Sequence, residues 1–308
     1  MLKPRPLRRG DRVAVVAPAS PFPREEFDAG LAELERLGFV PVFEPSIFDR
    51  RSYVAGEPEV RARALRAALA DEGIAAVLAA RGGYGSVQLL PLLDPAAVRA
   101  SRKSIVGYSD LTSLLAFVSG ACGLVSFHGP TVTGRLARGT EAYDEASFLR
   151  ALGESAPLGE LTGDVEVLVP GEASGPVFGG NLTQLAASLG TPFAFDPPAG
   201  CILLLEDVNE RPYRLDRLWT QLRLSGIVSR ARAIVFGDFP GCDEPVGEVD
   251  AREVLARLVE GFPGPVLFGL PVGHTPRPAL TVPLGVRARV VTAPRPALVI
   301  EEPAVEEA

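Results

Sequence analysis

The sequence predicts an α/β protein of two domains, a doubly wound parallel-sheet domain followed by a β-rich α/β domain. Three observations carry that prediction. Short continuous apolar runs such as Arg12–Pro18 (RVAVVAP) and Ile74–Ala79 (IAAVLA) have the character of strands buried on both faces. Segments of helical spacing separate such runs through the first ~130 residues, the alternation that builds a parallel sheet. The chain from Pro265 onward is instead rich in proline and short strand-like pieces.

In order, the strand at Arg12–Pro18 is followed by helical spacing over Phe27–Leu37, stopped by Gly38. Phe39–Phe43 reads as a second strand. Glu59–Ala70 is amphipathic and arginine-rich, a helix with a solvated face. Ile74–Ala79 and Ser104–Val106 are buried strands, the latter running into a helix from Leu111 to about Val118. Residues 135–175 mix charge, glycine and proline without a strong period, the texture of an interdomain crossover. We therefore divide the chain into domains 1–165 and 166–308. In the second domain, helices are expected at Asn181–Leu189, Arg214–Leu224 and Glu253–Val259. Strands are expected at Ile202–Leu205, Ala233–Phe236, Val286–Val291 and Ala297–Ile300.

A chain of 308 residues with 47% hydrophobic and 22% charged residues buries a sizeable core and is neither disordered nor fibrous. The formal net charge of -7 has the wrong sign for nucleic acid or an anionic membrane as main partner. Cys122, Cys201 and Cys242 lie far apart, as buried thiols of a reducing compartment do. His128 and His274, the two histidines, fall in no metal-ligand spacing, so neither a metal nor another cofactor is expected. No apolar run behind Met1–Arg12 has the length of a signal or membrane segment, and a cytoplasmic location is expected.

The sharpest chemical signal is Ser104–Leu115 (SIVGYSDLTSLL). A buried strand passes through Gly107 and Tyr108 into Ser109, and a helix starts at once. A serine so placed is exposed above the sheet beside free helix N–H groups, the layout of a nucleophile elbow. The G-x-S-x-G form is absent because position 111 is Leu, and Ser109 or Asp110 as a simple helix N-cap is the competing reading. Arg81–Ser86 (RGGYGS) follows another strand; its glycines either make a tight turn or bring a backbone N–H to an anion. For a base, His274 in the Gly/Pro-rich LPVGHTPRP loop is favoured over His128 in FHGP, which reads as a satisfied histidine at a strand end. An acid to orient it is Glu206 at the end of CILLLED, with Asp207 and Glu210 as close competitors.

Together these segments resemble the LD-carboxypeptidases, the S66 family of serine peptidases that also holds the microcin C immunity peptidases. The resemblance rests on VAVVAPAS, YVAG, RGGYGSVQLLPLLD, IVGYSDLTSLL, FHGPT, GGNLTQLAASLGTP, LLLEDVNERPYRLDRLWTQL and GLPVGHTPRPALTVPLG, in family order from Arg12 to Gly285. It implies a flavodoxin-like N-terminal domain, a β-rich C-terminal domain and an active site between them. It further implies a Ser109–Glu206–His274 triad, an oxyanion hole from the backbone N–H groups of Asp110 and Gly83, and a homodimer. The implied reaction removes the terminal D-alanine from peptidoglycan tetrapeptides. Arg81 and Tyr84 are expected to contact that substrate, Arg81 by pairing with the free carboxylate. The nearest rival is the immunity type, which cleaves an aminoacyl-nucleotide and grips the base with an aromatic residue. Against it, the single tryptophan, Trp219, falls inside a predicted helix, and the chain length leaves little room for an added segment. A non-catalytic binding protein of the same fold and a generic esterase compete less strongly: Ser109, Glu206 and His274 are all in place, and G-x-S-x-G is missing.

Overall fold

The computed structural model describes residues 1–246 and 249–307. The first half runs β1 (Arg12–Val16), α1 (Arg24–Arg36), β2 (Val40–Val42), α2 (Pro58–Ala70), β3 (Ile74–Ala79), α3 (Pro95–Ser101), β4 (Ser104–Gly107), α4 (Thr112–Gly120) and β5 (Ser126–His128). There follow α5 (Glu145–Gly153), β6 (Pro157–Leu161), β7 (Glu166–Val169), β8 (Glu172–Asn181), α6 (Leu182–Ser188) and β9 (Cys201–Glu206). The last third holds α7 (Pro212–Leu224), α8 (Ile227–Arg230), β10 (Ala231–Phe236), α9 (Ala251–Leu258), β11 (Val266–Phe268), β12 (Val282–Leu284), β13 (Arg287–Val291) and β14 (Ala297–Pro303).

Two sheets organise these elements. The first has the order β12-β5-β4-β3-β1-β2, with β2, β1, β3, β4 and β5 parallel and β12 antiparallel at the edge. A 2-1-3-4-5 order is doubly wound, and its crevice opens at the carboxyl ends of the strands. The second has the order β6-β14-β13-β8-β9-β10-β11-β7, parallel through β8, β9, β10 and β11 and antiparallel on both flanks. All six residues of β9 are buried, and alternate side chains feed two cores. Ile202 and Leu204 face the core shared with the first sheet, while Cys201, Leu203 and Leu205 face the core under α6, α7 and α9. That two-sided burial is why CILLLE reads as an uninterrupted apolar run.

The fold class matches the expectation. Residues 135–175, expected as an unpatterned crossover, instead carry α5, β6, β7 and the start of β8. The reason is physical: β6 and β7 are short edge strands, β6 burying only Leu158 and Leu161 and β7 no residue fully, so neither reads as a strand covered on both faces. The division at 165/166 accordingly falls between two strands of the second sheet. In turn, β12 returns to close the first sheet beside β5.

Candidate active site

The carboxyl ends of β1, β3 and β4 converge on Ser109. At the end of β4, Tyr108 is extended (φ -153°, ψ -175°), and Ser109 turns into the left-handed region at φ 65° before a 3-10 turn and α4. A non-glycine residue there costs about 1–3 kcal/mol and persists where the surroundings impose it. Two glycines make the turn possible. A Cβ on Gly107 would stand 2.9 Å from Leu111 Cβ, and one on Gly82 would stand 2.9 Å from Ser109 Cβ.

The glycine-rich segment after β3 is held against Ser109 by side chains. The Asp110 carboxylate, buried, accepts the N–H groups of Gly85 (3.2 Å) and Ser86 (2.8 Å), and the Ser86 hydroxyl donates to Asp110 O (2.6 Å). Burial lifts the Asp110 carboxyl above the usual range, opposed by those N–H bonds and by the Arg61 charge. Arg61 donates to the carbonyls of Pro18 (2.5 Å), Gly56 (3.0 Å) and Gly85 (3.0 Å) and to the Gln88 side chain. Ser20, after β1, donates to Tyr53 O (2.8 Å) and accepts the Tyr84 N–H (3.1 Å). Gly83, at φ 103°, has no room for a Cβ, which would collide with Ser20 Oγ. Tyr53 and Tyr84 are exposed, their rings edge to face with centroids 5.6 Å apart. Arg81 is also exposed and donates to Pro21 O (3.1 Å).

From the second sheet, Glu206 ends β9 fully buried. Its Oε2 accepts the backbone N–H of His274 (3.0 Å) and lies 2.7 Å from His274 Nδ1. Burial is the largest influence on Glu206 and pushes its pKa up. The charge and hydrogen bonds of His274 outweigh it and hold the carboxyl below the usual range. With Nδ1–H on the carboxylate, the neutral imidazole presents a bare Nε2 on its other side. Gly273 permits this approach: at φ 56°, its Cβ would stand 2.5 Å from Glu206 Oε2. The Tyr108 ring, one residue before Ser109, lies 5.0 Å from the His274 ring, which brings the two halves of the site together. Among the described residues Ser109 Oγ donates no hydrogen bond within the chain, and catalytic bonds of this kind commonly tighten only with substrate bound.

The competing acids are engaged elsewhere. Asp207 accepts from Asn181 Nδ2 (2.9 Å) and from the N–H (2.8 Å) and hydroxyl (2.7 Å) of Thr183, holding the start of α6. Burial, then the charge of Glu206, pushes its pKa up to about 6. Glu210 pairs with Arg214 at 3.5 Å. A hollow of about 210 Å³ between α2 and β1 is lined by none of Ser109, Glu206 and His274.

Residues 13–129 match the LD-carboxypeptidase N-terminal domain of peptidase family S66, and residues 174–290 match its C-terminal domain. A putative carboxypeptidase of Streptomyces coelicolor is 40% identical over 309 residues, 97% of this chain and 98% of the relative. The chain belongs to the LD-carboxypeptidase family. A probable murein peptide carboxypeptidase of Bacillus subtilis is 34% identical over 96% of this chain and 94% of its own. Among solved structures, the muramoyltetrapeptide carboxypeptidase of Oxalobacter formigenes superposes with a TM-score of 0.83 at 30% identity, covering 94% of this chain and 99% of that one. The microcin C7 self immunity protein MccF in complex with aspartyl sulfamoyl adenosine superposes at 0.92 with 26% identity, over 99% and 100%.

Three features of this candidate site were not legible in the sequence. The Asp110 side chain clamps the glycine-rich segment, where the sequence pointed only to its backbone or to a cap. Arg61, on the helix expected to present solvated arginines, is buried at 4% exposure. Arg135, also buried, donates to the carbonyls of Gly273 (2.5 Å) and Thr275 (2.6 Å), fixing the loop on both sides of His274. Arg135 lies in loop sequence without a period, and Arg61 is one of three arginines on α2, so nothing local marked either residue.

Proposed function

We propose that the chain is a serine-type L,D-carboxypeptidase that removes the terminal D-alanine from peptidoglycan tetrapeptides. Ser109 is the nucleophile, His274 the general base and then acid, and Glu206 the residue that fixes the imidazole tautomer. The observation that carries this reading is the buried Glu206 Oε2 2.7 Å from His274 Nδ1, set against a serine at φ 65° on a strand-to-helix turn. His274 Nε2 takes the Ser109 proton as Oγ attacks the scissile carbonyl, and Glu206 stabilises the imidazolium. The backbone N–H groups of Asp110 and Gly83 receive the oxyanion, where losing one donor costs ~10²–10³ in turnover. The D-alanine amine departs with the proton from His274, and water then hydrolyses the acyl-enzyme. Arg81 and Tyr84 border this centre and serve the substrate, Arg81 through its terminal carboxylate. The protein acts in the cytoplasm as a homodimer. No described helix is long and apolar enough to cross a membrane.

The second reading is an immunity-type peptidase acting on an aminoacyl-nucleotide, favoured by the likeness to MccF. Chain length does not separate the two readings, since the superposition covers 100% of the MccF chain. Trp219 supports the muropeptide reading: at 1% exposure in the core under α7, it is not available to stack on a base. The deciding experiment incubates wild-type and Ser109→Ala protein, in EDTA, with L-Ala-D-Glu-meso-diaminopimelate-D-Ala and follows D-alanine by mass spectrometry. Release by the wild type alone is expected. Silence from both overturns the muropeptide reading and turns attention to aminoacyl-sulfamoyl nucleosides as ligands.

A further inference from the structure

The proposed triad leaves the chain's other histidine without a role, and leaves one oxygen of its acid without a partner. His128 is 0% exposed, and among the described residues neither ring nitrogen has a hydrogen-bond partner. Glu206 Oε1, equally buried, has none either, while Oε2 carries both bonds to His274. Buried polar groups in folded proteins are almost always satisfied, by protein or by internal water. Two such groups at one place mark a bridge. They do share a place: His128 pairs in register with Gly107, two residues before Ser109. The Tyr108 ring lies 6.3 Å from the His128 ring and 5.0 Å from that of His274. The charged groups that His128 feels are Glu206, His274 and Arg135, from three different segments.

We propose that His128 is a positioning residue for Glu206, a neutral imidazole whose N–H reaches the free carboxylate oxygen through one trapped water. The inference rests on the triad reading above and adds a second arm to it. Burial, the largest influence, holds the His128 pKa down at about 4 against the pull of Glu206, so the ring is uncharged at neutral pH. A neutral ring offers one donor and one acceptor, enough to fix a water that donates to Oε1. With both oxygens engaged the carboxylate cannot rotate away from Nδ1, and its charge is shared between two bonds. An uncharged donor achieves this without a second cation to compete with the imidazolium that forms on His274.

The test compares His128→Phe with His128→Gln, whose amide still donates. Without a donor on Oε1 the negative charge concentrates on the oxygen facing Nδ1, favouring imidazolium. The acid limb of kcat/KM for D-alanine release is expected to rise by up to ~1 pH unit in His128→Phe, a loss approaching tenfold below the limb. Convergence toward wild type at higher pH and recovery of the limb in His128→Gln are also expected. Equal losses in both variants with the limb unmoved, or a Phe variant with the wild-type profile, overturn the proposal. A second readout needs neither turnover nor a folded variant at this position. In ¹⁵N NMR of the wild type, His128 is expected to stay neutral from pH 5.5 to 8 with a slowly exchanging ring N–H. That signal is expected to shift in Glu206→Gln. A ring that titrates in this window, or is blind to Glu206→Gln, sinks the proposal. Wild-type protein that releases no D-alanine would fail the functional reading alone and leave the spectrum to decide this one.

Discussion

Replacing Gly273 by alanine puts a methyl carbon where the Glu206 carboxylate stands. The new Cβ would lie 2.5 Å from both Oε2 and Cδ and 2.8 Å from Cγ, distances that real Cβ contacts do not show. Glu206 is fully buried on a central strand, so the His274 loop or the carboxylate must shift. Either movement breaks the 2.7 Å bond to Nδ1 and the 3.0 Å bond from the backbone N–H. Charged hydrogen bonds contribute ~1.5–3 kcal/mol each, and alanine at φ 56° adds about 1 kcal/mol or more of backbone strain. Partial relaxation of the loop leaves a destabilisation of roughly 3–5 kcal/mol. Turnover suffers more, because an imidazole without its orienting acid loses ~10⁴ in serine enzymes of this type. D-alanine release by Gly273→Ala is therefore expected to fall ~10²–10⁴-fold in kcat, read beside a thermal melt. Gly269→Ala is the control: it also forces alanine into positive φ, 87°, but the atoms nearest its Cβ are Asp164 O at 3.2 Å and the far ends of Arg277 and Asp238 at 3.9 Å. It should lose stability and keep kcat. Equal kcat in the two variants would refute the claim that Gly273 exists to admit Glu206.

Glu206→Gln preserves volume and removes the charge, so kcat should drop ~10⁴-fold in the D-alanine assay while circular dichroism stays unchanged. Asp110→Ala strips the buried Gly85 and Ser86 N–H groups of their acceptor and should cost roughly 2–5 kcal/mol in urea unfolding. Asp207 makes stability depend on pH in a calculable sense. Its folded pKa of about 6 stands above the ordinary 3.8, so the folded state favours the protonated acid. Its contribution is intact below pH 3.8 and is lost as pH rises to about 6, by roughly 3 kcal/mol over that window. Unfolding free energies from pH 4 to 7 should show that decline in the wild type. Asp207→Asn should flatten it, and an unchanged slope would mean the decline belongs to another group.

The elements that the sequence made legible are those whose burial is two-sided or periodic. RVAVV, IAAVLA and CILLLE are central strands covered on both faces, and each stands where its apolar run placed it. PLGEL and EVLV are the short edges of the second sheet, only partly buried, and do not stand out from the surrounding glycine and charge. The return of β12 to the first sheet was beyond reach for a different reason. VPL is three residues long, and its partner is SFH, more than 150 residues earlier in the chain. Pairing across such a distance is decided by tertiary packing, which no local window contains.

The site divides along the same line. Ser109 and Glu206 were legible because each sits where a buried strand stops, and a polar residue at that point has to face the crevice. The preference for His274 over His128 followed from loop composition, and His274 is the one that lies on Glu206. What no pattern carried is the set of residues that keep the others still. Asp110, Arg61 and Arg135 spend their hydrogen bonds on backbone groups of loops, at Gly85 and Ser86, at Pro18 and Gly56, and at Gly273 and Thr275. Such bonds are blind to the side chains of the segments they hold, so neither end leaves a compositional trace. The glycines are their visible counterpart: Gly82, Gly83 and Gly273 each stand where a Cβ would strike Ser109, Ser20 or Glu206. A glycine between a strand end and a reactive side chain is thus the part of this supporting framework that a sequence can show, and the buried charge behind it is the part that needs coordinates.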